Sequence, residues 1–289
     1  MILRPVRDDE EDAEVVREIA AAAFGAPRSL HNSGAWQAER AERHRSRTRH
    51  LARTDPGGCW LIEDETAGPV GAVLSSRREG TWALSLLAVV PGAQGKEVGK
   101  ALLARAMVHG RACLRGIACA PGDPVAARTL RRAGFTLHPT LRLTGPVDPA
   151  RLGPLDGAVH EGTAHHRDLM DSVDRRTRGG AHGPDHEELL RHHTLLVVDD
   201  LAGSGYCYTR AGRVESLAAT SRRLATRLLT AALLTTPPDE PALVTNVVAE
   251  SQWAVDVAVT AGLRITPADL VTLRGLRPPE LALFSRTLP

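Results

Sequence analysis

The chain carries one order of elements twice, and that repetition limits the folds open to it. Residues 86–106, LLAVVPGAQGKEVGKALLARA, align with residues 216–232, SLAATSRRLATRLLTAA. Farther along, AARTLRRAGF at 126–135 aligns with AVDVAVTAGL at 254–263. In each copy a strand runs into a helix, and a later helix closes on glycine. Any two α/β domains share some alternation of this kind. Here the whole order agrees, as a duplicated domain requires. Gly145, Pro146, Pro149, Gly153 and Pro154 make the linker, which sets the domains at 1–146 and 147–289.

Apolar spacing gives the elements. Residues 2–7 read as a strand. Val15, Val16, Ile19, Ala20 and Ala23 share one helical face behind the acidic run 8–12, whose carboxylates suit a helix N-terminus. Gly25 and Pro27 close that helix. Residues 34–54 are rich in arginine, with Glu39 four residues before Arg43, and read as a solvated helix. Strands at 59–63, 69–75 and 82–90, punctuated by Gly68 and Gly80, form an antiparallel meander. A glycine-punctuated loop then enters a helix that ends at Gly110, followed by strand 114–120, helix 123–133 and strand 135–143. The second copy gives helices at 165–178 and 184–192 and strands at 194–198, 205–209 and 214–219. A helix built on Leu224, Leu228 and Leu229 follows, then strand 243–249 and helix 251–261.

Composition removes several function classes. With 43% hydrophobic and 24% charged residues the chain can bury a core. No apolar run approaches the roughly 18 residues of a membrane span, and MILRPVRDDEED turns acidic where a signal peptide is apolar. A net charge of +2 gives no reason to expect a polyanion. The expectation is a cytoplasmic protein with neither membrane nor nucleic acid as partner. Cys59, Cys113, Cys119 and Cys207 fit neither a metal spacing nor a disulfide framework.

The loop at 91–100 carries the chemistry. A helix N-terminus presents free N–H groups and partial positive charge, and small residues such as Gly95 and Gly99 let the backbone approach an anion. Lys96 and Lys100, the chain's two lysines, sit in this loop. The segment LAVVPGAQGKEVGKALL resembles the signature of the GNAT acyltransferases, Leu-x-Val-x-Pro followed by Gln/Arg-x-x-Gly-x-Gly/Ala. Residues 123–135, DPVAARTLRRAGF, are similar to that family's second motif, Asn-x-x-Ala-x-x-x-Tyr-x-x-x-Gly-Phe. The resemblance implies two GNAT-like domains in tandem, each α/β with a mixed, mostly antiparallel central sheet flanked by helices. It implies acetyl-CoA or another acyl-CoA as co-substrate, without a metal. Leu87, Val89, Gln94, Gly95, Lys96, Val98, Gly99, Lys100 and Asp123 are the implied cofactor-binding residues, and an amine of a small molecule or peptide is the implied acceptor.

Departures from the family pattern bear on catalysis. Glu97 replaces the first loop glycine, Asp123 the asparagine, and Leu130 the tyrosine that protonates the departing thiolate in many members. No Asp or Glu lies between Trp82 and Val90, where a general base often sits. His138 and Glu215 are the remaining catalytic candidates. Glu215 corresponds by the repeat to Ser85, and with Tyr206 and Tyr208 it marks a candidate acceptor pocket. The second copy's SRRLAT has no glycine and Ala258 holds the tyrosine place, so that copy reads as degenerate. The expected function is N-acyl transfer by direct attack, without a side-chain general acid. The alternative is a non-catalytic acyl-CoA-binding or sensing module.

Two clusters have plainer readings. His182 and His186 have the i, i+4 spacing of a chelate, but Gly183-Pro184 interrupts a helix there, so the His-rich stretch 160–193 reads as solvated surface. The arginines of 40–53 wrap around their helix, with Trp36 the one aromatic nearby, against a nucleic-acid face.

Overall fold

The computed structural model describes residues 1–25 and 34–289, so the helix stop expected at Pro27 lies outside the described residues. Contacts divide the chain into two units, Met1–Leu114 and Arg115–Pro289.

The first unit contains β1 (Ile2–Pro5), α1 (Glu10–Phe24), α2 (Gly34–Thr54), β2 (Trp60–Asp64), β3 (Gly68–Arg78), β4 (Thr81–Val89) and α3 (Val98–His109). Its strands lie in the order β1-β2-β3-β4, each antiparallel to the next, as the meander predicts. Helix α3 sits flush on β3. A Cβ at Gly71 would come within 2.9 Å of Leu102 and 3.0 Å of Val98, so only glycine permits this approach. The far end of α3 is tied by His109, whose Nε2 lies 3.1 Å from Asp55 Oδ1. Buried Asp55 also accepts from Arg78 Nη1 at 2.7 Å and from the Arg77 main chain at 2.8 Å. Both ends of α3 are thereby fixed, and the loop that precedes it inherits that position.

The arginine-rich helix departs from the solvated reading. Arg45 reaches Glu10 at 2.7 Å and Glu14 at 3.2 Å, while Arg49 and Arg53 reach Asp8 at 3.1 and 3.3 Å. The acidic start of α1 faces α2 and neutralises it. Half-exposed pairs of this kind are worth only about 0.2–1 kcal/mol each, so they orient α2 more than they stabilise it.

The second unit contains β5 (Arg115–Ala120), α4 (Pro124–Arg132), β6 (Thr136–Gly145), α5 (Pro149–Leu152), β7 (His160–Glu161), α6 (Arg167–Thr177), α7 (Asp185–His192), β8 (Thr194–Asp200), β9 (Gly203–Arg210), β10 (Arg213–Ala219), α8 (Arg222–Leu234), β11 (Ala242–Val247), α9 (Gln252–Thr260), β12 (Arg264–Arg274) and β13 (Ala282–Leu283). Its strand order is β5-β12-β6-β11-β10-β9-β8-β7, with β13 on β10. β12 and β13 escape the sequence reading because neither carries a clean alternation.

This order is an exchange between the two sequence copies. β6 closes the first copy, yet it lies between β12 and β11 of the second, with Leu270 opposite Pro139 and Leu243 opposite Thr144. β12, its counterpart, lies between β5 and β6 of the first, with Val271 opposite Cys119. Leu143 of β6 is fully buried in a cluster with Leu217, Leu228, Val244, Trp253 and Val257. Burying one such leucine contributes about 1.5–3 kcal/mol. The copies also share a β-bulge: the β3–β4 register slips at Ser85 and the β9–β10 register slips at Glu215. Bulges re-aim side chains beside functional sites, and the shared position supports the pairing of Ser85 with Glu215.

We propose 146/147 as the division between sequence copies, although the compact units part at 114/115. A fragment of residues 1–146 then lacks both neighbours of β6 and the strand that covers β5, and exposed edges of that kind aggregate. The fragment is expected to show no cooperative thermal transition and to leave solution as aggregate in size-exclusion chromatography. A monodisperse, cooperatively melting fragment would show that the exchanged strands are dispensable.

Candidate functional site

The loop between β4 and α3 enters the helix through left-handed backbone. Gly95 has φ 76°, and Glu97, at the N-cap of α3, has φ 64° and ψ 2°. A left-handed Glu is uncommon and costs about 1–2 kcal/mol, so the path through this residue is held by its surroundings. No side chain caps α3. The Glu97 carboxylate turns to solvent and meets Lys100 Nζ at 2.5 Å, with both side chains largely exposed. Val98 is buried beneath the loop, while Gln94, Gly95 and Lys96 are exposed. The Gln94 amide donates to Val89 O at 3.0 Å. Leu87 and Val89 are half-buried on β4. Eight of the nine expected cofactor residues therefore lie along one strand, loop and helix start.

The ninth, Asp123, belongs to the second unit. Its Oδ1 accepts from Val125 N at 2.8 Å and Ala126 N at 3.0 Å, so the carboxylate caps α4. Leu130, on the same helix, is 3% exposed and is a core residue. His138 lies on β6 with its Nε2 2.8 Å from Thr136 Oγ1. Glu215 accepts from Ser285 Oγ at 2.6 Å and Thr287 Oγ1 at 3.0 Å. Tyr206 and Tyr208 are fully buried. The structure thus does not bring His138, Glu215 and the tyrosines into one open pocket. Ser85 enters the sequence reading only as the repeat counterpart of Glu215, because serine in a strand does not by itself mark a site. It sits at the β4 bulge with a buried Oγ that has no hydrogen-bond partner among the described residues. Cys119, which its place in a strand would put in the core, is half-buried beside Ser285 O at 3.6 Å, and burial of the thiol pushes its pKa up to about 12.

The histidines at 182 and 186 correct the solvated-surface reading, being 2% and 1% exposed. Asp174 on α6, fully buried, draws them in. Its carboxylate accepts from His182 Nδ1 at 2.6 Å, His182 N at 3.0 Å and Tyr206 OH at 2.5 Å, and His186 Nε2 lies 3.2 Å away. His186 Nε2 is also 3.4 Å from Asp171, and its Nδ1 is 3.1 Å from Tyr208 OH. Asp174, His182 and His186 are near enough to hold a metal ion. Two ligands of one tetrahedral ion stand about 3.4 Å apart, however, and the 2.6 Å between His182 Nδ1 and Asp174 is a hydrogen bond. The cluster fits a proton network better than a metal centre.

Charges in the network follow from its geometry. Burial opposes the Asp174 charge, but the hydrogen bonds and charges of His182 and His186 outweigh it and hold the carboxyl well below its usual range. Burial also opposes the charge on His186, yet Asp171 and Asp174 outweigh it and raise the imidazole. Burial and then Arg178 lower His182, against the pull of Asp174.

Residues 15–135 match the model of the acetyltransferase (GNAT) family. No curated protein matches the chain in sequence. Among solved structures, an acetyltransferase-like protein of Pyrococcus horikoshii is similar over 99% of this chain and 95% of its own, with TM-score 0.74 and 16% identity. A tandem GNAT protein from the clavulanic acid biosynthesis pathway is similar over 96% of this chain and 99% of its own, with TM-score 0.60 and 13% identity. A GCN5-related N-acetyltransferase from Sphaerobacter thermophilus covers 96% of each chain, with TM-score 0.57 and 14% identity. At these identities the likeness is one of fold, and that fold is the tandem one.

Asp174→Asn tests the network. The Asp174 contribution is present above the ordinary carboxylate pKa and is lost as pH falls through its depressed value. The His186 contribution is present below about pH 6.5 and is lost as pH rises through its raised value. The loss on Asp174→Asn is expected to be about 3 kcal/mol near pH 5–6 and to shrink toward pH 9 as His186 gives up its proton. Urea unfolding at the two pH values measures it. A loss independent of pH would mean that Asp174 acts without the imidazolium.

Proposed function

With a GNAT-family domain at residues 15–135 inside a tandem GNAT fold as the premise, we propose that this protein moves an acyl group, acetyl foremost, from an acyl-CoA to an amine of a small molecule or peptide. One observation carries the reading. The N-terminus of α3 has no side-chain cap, is entered through positive-φ residues at Gly95 and Glu97 on either side of Lys96, and has Lys100 in its first turn. Free N–H groups, a positive helix end and the Lys96 ammonium together suit a diphosphate, and Lys100 can join them by leaving its exposed contact with Glu97. Leu87 and Val89, leading into this loop, are the positions whose main chain would receive the pantetheine arm.

The chemistry asked of the chain is modest. A neutral amine attacks the thioester carbon, the C–N bond forms as the C–S bond breaks, and the ammonium proton passes to water. Positioning supplies much of the acceleration, and a main-chain N–H aimed at the carbonyl oxygen stabilises the developing charge. β4 carries no titratable side chain, and the buried Leu130 cannot protonate the thiolate. Ser85 Oγ is the polar side-chain group at the bulge through which a proton would pass to water. General acid–base help is worth about 10²–10⁴-fold, so its absence predicts a slow enzyme rather than an inert one.

That same absence favours a second reading, a non-catalytic acyl-CoA-binding or sensing module. Acetyl-CoA titration combined with thiol release over an amine panel separates them. Turnover with any amine supports the transferase, and tight binding without turnover supports the module.

Two substitutions address the cradle itself. At Gly99 a Cβ would meet only Val89 Cγ2, at 3.6 Å, so both Gly99→Ala and Gly99→Asp are expected to fold. Gly99→Asp sets a carboxylate at the helix start and is expected to weaken CoA binding by at least about tenfold, a cost of about 1.4 kcal/mol. Normal affinity in that variant would move the site elsewhere. Glu97→Gly relieves the left-handed residue, raising stability by about 1 kcal/mol, and removes a negative charge, so CoA should bind more tightly. Calorimetry at two salt concentrations divides the gain, since the part that shrinks with salt is electrostatic. Weaker binding would mean that the Glu97–Lys100 pair is part of the cradle.

A further inference from the structure

We propose that residues 279–289 are a built-in occupant of the second copy's cofactor opening, holding by main chain and carboxylate the places that the pantetheine arm and a phosphate take in the first. The inference rests on the reading of residues 86–100 as the CoA cradle, because the repeat carries those positions onto 216–225. Leu217 and Ala219 then correspond to Leu87 and Val89.

The strand geometry shows an opening and its occupant. β10 and β11 pair in parallel only at Arg213 with Leu243 and Val214 with Val244. Beyond that point β10 pairs with β13, Leu217 opposite Leu283 and Ala218 opposite Ala282, and Ala219 N donates to Leu281 O at 3.1 Å. The β10 main chain that would receive pantetheine is therefore bonded to residues 281–283 of the same chain. Across the opening, side chains from the β11–α9 arm hold the segment's carbonyls. Asn246 Nδ2 donates to Phe284 O at 2.9 Å, Trp253 Nε1 to Glu280 O at 2.7 Å and Ser251 Oγ to Pro279 O at 3.0 Å. This is strand addition performed by the chain on itself.

The anion end is filled as well. Ser221 caps α8 by accepting from Leu224 N, so the side-chain cap that α3 lacks is present here. Arg222 Nη2 meets Glu280 Oε1 at 2.6 Å, and Arg223 Nε meets Asp156 Oδ2 at 2.6 Å. Carboxylates thus neutralise the positive groups that would otherwise attract a diphosphate. At the other end, Glu215 on the bulge accepts from Ser285 and Thr287, and buried Arg178 donates to Pro289 O at 2.5 Å. Ala282, Leu283, Phe284 and Leu288 are each at most 5% exposed. The segment is seated along its whole length.

Hydrogen exchange of the full chain, read by mass spectrometry with and without saturating CoA, tests the proposal alongside a CoA titration. Residues 216–220 and 281–285 are expected to exchange slowly without CoA and to stay as slow with it. One CoA should bind per chain, with new protection confined to the 86–101 region. Glu280→Arg, an exposed change that sets like charges together, is expected to speed exchange across 279–289 by about tenfold or more while β12 keeps its protection. Fast exchange of 281–285 in the unmodified chain, lost protection at 216–220 on adding CoA, or a second CoA per chain overturns the occupant. So does a Glu280→Arg variant that exchanges like the parent. CoA that leaves 86–101 unchanged overturns the cradle reading instead, and the protection of 281–285 still decides whether the segment is seated.

Discussion

Strand β6 lies between β12 and β11, and much of the second unit depends on that placement. Main-chain groups in a buried sheet must all be paired. Neither sequence copy supplies the strands to pair its own last one. Each copy's closing strand instead completes the other's ladder, and Leu143 carries first-copy apolar surface into the core built on Leu217, Leu228 and Trp253. A duplicated domain joined this way cannot shed one copy without leaving two ladders open. That constraint accounts for a second copy whose loop has lost its glycines and whose strands remain. Its strands are required by the first copy's ladder whatever its loop does.

Two helix N-termini show how the copies diverged within one frame. α3 and α8 follow corresponding bulged strands, with Ser85 on one and Glu215 on the other. At α3 the first turn has no side-chain cap, and Lys96 and Lys100 flank it. At α8 the Ser221 side chain satisfies a first-turn N–H, and Arg222 and Arg223 are already paired with Glu280 and Asp156. The physics of the two ends is the same, an excess of donors and partial positive charge. At α3 the first turn stays without a side-chain cap and Lys100 pairs locally with Glu97, whereas at α8 the cap and both arginines are satisfied from within the chain.

How far the sequence could be read follows from which interactions are local. The meander, the glycine-punctuated loop and the helix that ends at Gly110 are local patterns, and the structure has each where the spacing puts it. The pairing of Glu97 with Lys100 is also local, at i, i+3. What escaped was decided by distant partners. β12 reads RITPADLVTLR, with a proline inside it and a register slip between Pro267 and Leu270, so no alternation announces it. β13 is two residues long and exists because β10 diverges from β11. His182 and His186 look like surface until Asp171 and Asp174, on α6, supply the charge that makes burial tolerable. An arginine-rich helix looks solvated until the acidic start of α1 is set against it. Charges find partners in three dimensions, and a one-dimensional pattern does not name them.

Glu97 carries the same lesson to the cradle. By residue type it is the clearest break in the loop, a carboxylate where the family has glycine. By backbone it is no break, because φ 64° and ψ 2° lie in the left-handed region that glycine would occupy freely. The carboxylate is largely exposed and pairs with Lys100. An anion held by main-chain donors responds to where those donors point. A substitution that preserves φ and ψ therefore changes such a site less than one that preserves chemistry and moves the backbone. The strain of a left-handed Glu is tolerated only because its neighbours hold it. Val98 is buried beneath the loop, Gly71 admits α3 onto β3, and Asp55 fixes the helix at its far end. The loop's left-handed path is in this sense a property of the α3–β3 packing, and it is present although a glutamate stands at the residue that glycine would suit.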